Sequence, residues 1–364
     1  MDNRLMDWLY NPNSNDNFNP SFYGELIELA ENDSILPQVY QLLSNQGRLD
    51  SIPIFVKEKL QAGYKEVLYK NILIKSQTDI ILNKLNFAGI EVIPLKGVYF
   101  AEKYFGSIGA RATSDIDLLV REKDVNKAIE IVKSTGFELE EAFIPSHFHC
   151  SFSKEIVGSL VPLTVEVHWD ILKQSTSEFR IEEFWDKAIP FDRSQYVKSL
   201  SDYHVFYLMC LHGWRHNLDS LRHYLDIAHL IVFSKSKIDY EVLLNDAKID
   251  CTLRRVKQTL SAVYEKFPML HFYNEFPLKN GINDKRYQNV LLDQYMRFIH
   301  YKFLSYDTSK HRAIELVNWL FPRNYELEAE LKQTFKRKFY IIKLSCLYKQ
   351  RCIGLIRSVK TRGY

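Results

Sequence analysis

Asp115 and Asp117 lie two residues apart in the run SDIDLLV. On a strand, alternate side chains share a face, so both carboxylates point one way and Ile116, Leu118 and Val120 point the other. A carboxylate pair offers hard oxygen ligands to a divalent ion such as Mg²⁺, which keeps several waters and completes its shell with substrate phosphates. The run LTVEVHW, residues 163–169, repeats the alternation, with Glu166 and His168 on one face and Val165 and Val167 on the other. Laid beside the first run, it adds a third acid. Clustered acids repel one another unless a cation sits among them, and one of them can then draw a proton from an attacking hydroxyl. Singly, each pattern reads as readily as a solvated strand face; the chemistry comes from the set.

A third run, PLKGVYF, supplies the complementary charge. A strand ends at Leu95, Lys96 and Gly97 follow, and a short helix begins at Val98. Gly97 allows close backbone approach, and the free N–H groups of a helix start suit a phosphate. Lys96 adds a point charge. Arg111, just before the acids, is placed to neutralise a second phosphate. Farther on, His212, Arg215 and His216 fall on one helical face, with His204 two turns earlier. A neighbouring helix carries Arg222, His223, Asp226 and His229. Arg222 and Asp226 have the i, i+4 spacing of an ordinary ion pair. His147 and His149 alternate with Phe148 on a strand and are placed to face the same cleft as Glu166. No G-x-S-x-G motif offers a nucleophile, and the metalloprotease pattern H-E-x-x-H is absent.

The elements that must position these groups follow from periodicity. Residues 11–20, NPNSNDNFNP, read as a turn-rich loop. A short amphipathic stretch carries Leu26, Ile27 and Leu29. A longer helix is predicted from about Gln61 to Ala88, with Ile74, Thr78, Ile81, Leu82 and Leu85 at helical spacing, ended by Gly89. Then come a strand at 91–95, a helix at 98–104, a loop at 105–113, a strand at 115–120 and an amphipathic helix at 122–135 capped by Gly136. Extended segments follow around 148–152 and 161–169. Beyond Ser199 the pattern is helical, with breaks near Pro277–Asn283 and Pro322. The expected fold is α+β, a small mixed sheet with helices, divided as an N-terminal helical region (1–88), a core (89–197) and a C-terminal helical domain with a basic tail (198–364).

The order of these motifs resembles the nucleotidyltransferase superfamily typified by DNA polymerase beta and the aminoglycoside nucleotidyltransferases. The set LKG, R-x-x-x-D-I-D-L-L-V and V-E-V-H-W, with LHGWRHNLDSLRHYLDIAHL at 211–230, is similar to one branch, the uncharacterised nucleotidyltransferases, often found beside natural-product biosynthesis genes. The resemblance spans about Ser21 to Phe233. It implies a polymerase-beta-like core and transfer of a nucleoside monophosphate from a nucleoside triphosphate, with ATP the expected donor, to an acceptor hydroxyl. It further implies Asp115, Asp117 and Glu166 as catalytic and metal-holding acids for Mg²⁺ or Mn²⁺. Lys96, Gly97, Arg111, Ser114, His168, His212 and Arg215 are the nucleotide-binding residues expected on that resemblance. In place of the superfamily's Gly-Ser at the helix start, this chain has Lys96-Gly97-Val98, the form of the closer branch. The rival readings are a binding protein that keeps the fold without turnover, and an RNA-modifying enzyme of toxin type.

Composition bounds the partners. The chain has 364 residues and a formal net charge of only +3, which argues against wholesale dedication to nucleic acid; a small-molecule or peptide acceptor is favoured over RNA. Five scattered cysteines without a C-x-x-C pair read as free thiols, and with no signal peptide or 18-residue apolar run the expected location is cytoplasmic. After Glu330 there is no acidic residue. Lys336, Arg337, Lys338, Lys343, Lys349, Arg351, Arg357, Lys360 and Arg362 interleave there with Ile341, Ile342, Leu344, Ile353, Leu355 and Ile356. This is a basic amphipathic segment suited to RNA or an anionic membrane surface, or to packing with a solvated basic face.

Overall fold

In the computed structural model the described residues are 2–11, 18–141, 147–156, 161–192, 194–234, 238–277, 303–331 and 339–360. Contacts divide the chain into two compact units, one comprising residues 1–174 and 178–281 and the other residues 175–177 and 282–364.

The first unit opens with helices α1 (Asp2–Tyr10), α2 (Pro20–Asn32) and α3 (Leu36–Asn45). The Asn19 side chain caps α2 by accepting from the Phe22 N–H, and Pro20 sits at its first turn, where no N–H is needed. Helix α4 runs from Ile54 to Phe87, two turns longer at its start than periodicity predicted. Ile54 and Phe55 are exposed, but Val56 and Leu60, one turn apart, are fully buried and carry the extension; Pro53 sets its beginning.

The sheet follows. Strand β1 (Val92–Pro94) leads through Gly97 into α5 (Val98–Phe100), which continues as a single π turn over Ala101–Phe105. Then come β2 (Asp115–Val120), α6 (Val125–Lys133), β3 (Glu138–Glu141), β4 (His149–Lys154) and β5 (Leu163–His168). The strand order is β1-β2-β5-β4-β3. Strands β2 and β5 are parallel, while the pairs β1–β2, β4–β5 and β3–β4 are antiparallel. The fold is thus α+β with a mixed sheet, as expected. Strand β3 went unforeseen because ELEE shows no apolar alternation; it pairs only with β4, and Leu139 is half exposed.

One face of the sheet is mainly apolar. Ile116, Leu118 and Val120 of β2 and Val165 and Val167 of β5 share a core cluster with Ile81, Leu82 and Leu85 of α4 and with Ala128, Ile129 and Val132 of α6. The alternation that buries these residues leaves Asp115, Asp117, Glu166 and His168 on the other face. After α7 (Ile181–Asp186) and a small β6–β7 ribbon (Ile189–Pro190, Lys198–Ser199) come α8 (Asp202–Arg215), α9 (Leu221–Ser234), α10 (Tyr240–Ile249) and α11 (Leu253–Lys266). Helices α8 and α9 share a second core cluster with α1–α3 and with Leu119 of β2.

The second unit contains α12 (Ser309–Leu320), α13 (Asn324–Leu331) and α14 (Tyr340–Lys360). Here the basic segment is helical. Lys343 is buried, and Arg351 stacks over the Trp319 ring at 4.4 Å and donates to the Trp319 carbonyl. Ile341 stays 77% exposed. Lys336, Arg337, Lys338, Arg362 and the break expected near Pro277–Asn283, beyond Pro277, lie outside the described residues, as do the side chains of Leu355, Ile356, Arg357 and Lys360.

Candidate active site

The parallel pairing of β2 with β5 sets Asp117 directly opposite Glu166, and Asp115 opposite Thr164. The Lys96 ammonium lies 3.0 Å from Asp117 Oδ2. His168 Nε2 stands 3.2 Å from Asp117 Oδ1 and 3.0 Å from Glu166 Oε2, donating between the two carboxylates. Burial alone would raise the Asp117 carboxyl, but Lys96 and His168 together hold it well below the ordinary carboxylate range. Glu166 is likewise lowered against its burial by His168. The same contacts raise His168 although burial opposes its charge. Asp115 behaves differently: burial, then the neighbouring Asp117 charge, pushes it up, and Ser114 Oγ donates to it at 3.1 Å. The Asp117 side chain is 1% exposed and that of Glu166 is 23%, so one acid is locked and the other is partly open to solvent.

Gly97 is required where it stands. Its φ is 75°, the left-handed region that side chains avoid, and a Cβ there would meet the Thr113 methyl at 3.4 Å. This turn, and a bond from the Leu95 N–H to the Asp117 carbonyl at 3.1 Å, bring Lys96 over β2. Lys96, His168, His212 and Arg215 line one small cavity of about 30 Å³, closed by Leu95, Ile171, Leu172, Leu208 and Leu211. Lys96 also lines a larger cavity of about 510 Å³ with Asp79, Tyr99, Glu102 and Lys103.

Arg111, expected to face a phosphate, points elsewhere. Its Nε and Nη2 donate to both oxygens of Asp226 at 2.8–2.9 Å, and the pair is buried. Asp226 also accepts from Gln38 at 3.0 Å. The i, i+4 pair expected between Arg222 and Asp226 is therefore not what occupies Asp226. The Arg222 Nε is buried with no hydrogen-bond partner, and burial followed by repulsion from Arg111 lowers its pKa, while Asp115 and Asp226 raise it. Sequence spacing gave no sign of this, because the residue that claims Asp226 is 115 positions away. His149 stacks against His168, ring centroids 5.0 Å apart, and burial followed by repulsion from His168 lowers it to about 3. His147 precedes β4, its Nδ1 3.1 Å from the His149 carbonyl. His204 stacks on Phe184 and His229 on Phe105, so these two belong to the packing of the helices.

Among the described residues, two groups have ligand atoms all within 4.8 Å of one another: His149, Glu166 and His168, and His212, His216 and His223. Asp115 and Asp117 belong to neither. The carboxylates still fit a hard divalent ion, since they offer oxygen donors from adjacent strands on one face.

A mixed sheet flanked by helices in this order is the fold of a nucleotidyltransferase, a phosphorus-group transferase. The family described as Uncharacterised nucleotidyltransferase matches residues 22–264, and the chain belongs to it. That membership implies a nucleoside triphosphate substrate and a divalent metal. No curated protein and no solved structure matches the chain. Among the described residues no helix is long and apolar enough to cross a membrane.

Proposed function

We propose that this enzyme transfers a nucleoside monophosphate from a nucleoside triphosphate, with ATP as donor, to a hydroxyl of a small molecule or peptide. The observation that carries the reading is the register of β2 and β5, which sets Asp117 beside Glu166 with Asp115 two residues earlier on the same face. Asp115, Asp117 and Glu166 would hold Mg²⁺ or Mn²⁺, which when bound neutralises phosphate charge and orients the triphosphate. Lys96 is 16% exposed at its side chain and carries the nearest positive charge to the acids; it binds phosphate, with Gly97, Ser114, His168, His212 and Arg215 around it. Glu166, the more exposed of the paired acids, accepts the proton of the attacking hydroxyl. That oxygen bonds to the α-phosphorus, the bond to the bridging oxygen breaks, and pyrophosphate leaves.

The test is incubation of the protein with each α-labelled triphosphate and a cell extract, followed by identification of what becomes labelled. A labelled small molecule or peptide supports the proposal; label confined to RNA, or none with any triphosphate, overturns it. Two further outcomes are expected. By calorimetry, Mg²⁺ or Mn²⁺ binds weakly alone and more tightly with nucleotide, because phosphates complete its shell; nucleotide affinity indifferent to metal argues against this. Lys96→Ala weakens triphosphate binding by about tenfold, the scale of one charge-assisted contact of ~1.5 kcal/mol, with an unchanged circular dichroism spectrum. Unchanged affinity would make Lys96 a partner of Asp117 only.

A further inference from the structure

Helices α8 and α9 converge on three histidines. His212, in the last turn of α8, and His216, the residue that caps its end, meet His223 of α9, and a ligand nitrogen from each lies within 4.8 Å of the others. Their rings are 4.5–5.4 Å apart by centroid. Backbone geometry is committed to this convergence. Gly213 lets the helices close, since a Cβ there would meet Leu218 at 3.0 Å and Ile227 at 3.1 Å. The connector then turns through Asn217 and Leu218, both at positive φ without being glycine, a conformation that persists only where the surroundings impose it. The connector is fastened by Leu218 N–H to the Gly213 carbonyl at 2.9 Å and Asn217 N–H to the Trp214 carbonyl at 2.8 Å.

The rings are also prepared as ligands. Among the described residues, neither His212 nor His216 has a side-chain hydrogen-bond partner. His223 Nδ1 lies 3.2 Å from a carboxylate oxygen of Asp219. The approach lacks hydrogen-bond geometry, since His223 Nδ1 is buried with no hydrogen-bond partner, but a carboxylate this near can accept from that nitrogen once the other binds a metal, the usual outer-shell arrangement of metal-binding histidine. Burial is graded: His223 is buried, His212 half-buried and His216 exposed, so an ion can enter from the His216 side. Lys96 and Arg215 repel positive charge here, and Arg222 adds to them; Asp219 offsets part of that.

We propose that His212, His216 and His223 form a binding site for a borderline-soft divalent transition ion, of which Zn²⁺ is the type, with Asp219 as the positioning residue on His223. Three imidazoles leave a fourth tetrahedral position open. The chemistry separates this site from the carboxylates, because nitrogen ligands select zinc-like ions and oxygen ligands select Mg²⁺ and Mn²⁺. One chain thus carries two sites that do not compete for one metal. An ion here would add positive charge to the cleft wall that His212 shares with Lys96.

Co²⁺ alone is the probe, titrated into the metal-stripped full chain and followed by its visible ligand-field bands. The proposal expects one tetrahedral Co²⁺ per chain, displaced by equimolar Zn²⁺ and unaffected by excess Mg²⁺. His216→Ala removes an exposed side chain and should leave the fold intact by circular dichroism while abolishing the bands. Asp219→Asn should weaken Co²⁺ binding 10- to 100-fold, the usual loss for an outer-shell partner. Glu166→Gln should leave the bands in place, which separates this site from the group of His149, Glu166 and His168. Absent bands, bands that survive His216→Ala, or bands lost in Glu166→Gln would each overturn the proposal. None of these readings depends on turnover, so failure here leaves the proposed transfer reaction standing, and the reverse.

Discussion

Glu166→Gln is expected to lower nucleotide transfer by roughly 10²-fold or more, the scale for loss of a general base, while nucleotide affinity stays within about a few-fold because the loss falls in the transition state. The substitution keeps the size and hydrogen-bonding capacity of the side chain and removes its charge. In the structure Asp117 is already held by Lys96 and His168, so the side chains that would hold the nucleotide do not depend on Glu166. Among the described residues Glu166 pairs with His168, and it is the more exposed of the two. It is therefore the acid that can change partners when a hydroxyl arrives. The measurement is paired: affinity by calorimetry and transfer from α-labelled triphosphate. A Glu166→Gln protein that transfers as fast as the parent would show that the three-acid site proposed here is wrong.

Asp226→Ala is expected to destabilise the first unit by about 3–5 kcal/mol, the cost of leaving a buried charge uncompensated. Arg111 and Asp226 have side chains 6% and 0% exposed. Removing the carboxylate strands the Arg111 guanidinium among apolar neighbours such as Phe100, over whose ring it lies at 5.3 Å, and deprives Gln38 of its acceptor. Replacing both members of the pair together, Arg111→Met with Asp226→Leu, should recover much of the loss, since a buried ion pair exchanged for apolar groups of similar volume is often near neutral. Denaturant midpoints for the two single variants and the double variant decide this. A single Asp226→Ala loss under about 1 kcal/mol, the range of an exposed pair, would mean that water reaches Arg111.

The acids were legible because strands alternate faces: Asp115, Asp117, Glu166 and His168 read out onto one face from local pattern alone, and the register of β2 with β5 bears out that shared face. Lys96-Gly97 was legible because a glycine at a strand-to-helix junction has few other reasons to be there. What local pattern cannot carry is partner choice over distance. Arg111 looked like a phosphate ligand beside the acids, and Asp226 looked like the partner of Arg222; pairing across 115 residues overrode both. The meeting of His223 with His212 and His216 likewise depends on the left-handed connector at Asn217 and Leu218; asparagine suits that conformation, but leucine does not announce it. Strand β3 was hidden because an edge strand with an exposed, acidic face has no apolar period to display.

The N-terminal helices are tied to partners made much later. Gln38 bonds to Asp226, 188 residues on, and Tyr10 to His229, 219 residues on. Leu5, Met6, Trp8 and Leu9 are fully buried in the finished protein. On the ribosome, Gln38 must wait on the order of 10–40 s for Asp226 to be polymerised, at roughly 5–20 residues per second. During that interval the first three helices can pack on one another and on α4, but the part of their apolar surface that α8 and α9 cover still lacks its counterpart. A nascent chain that ends short of α9 therefore lacks the helices that complete this core, and the N-terminal helices reach their final packing only after α9 is made.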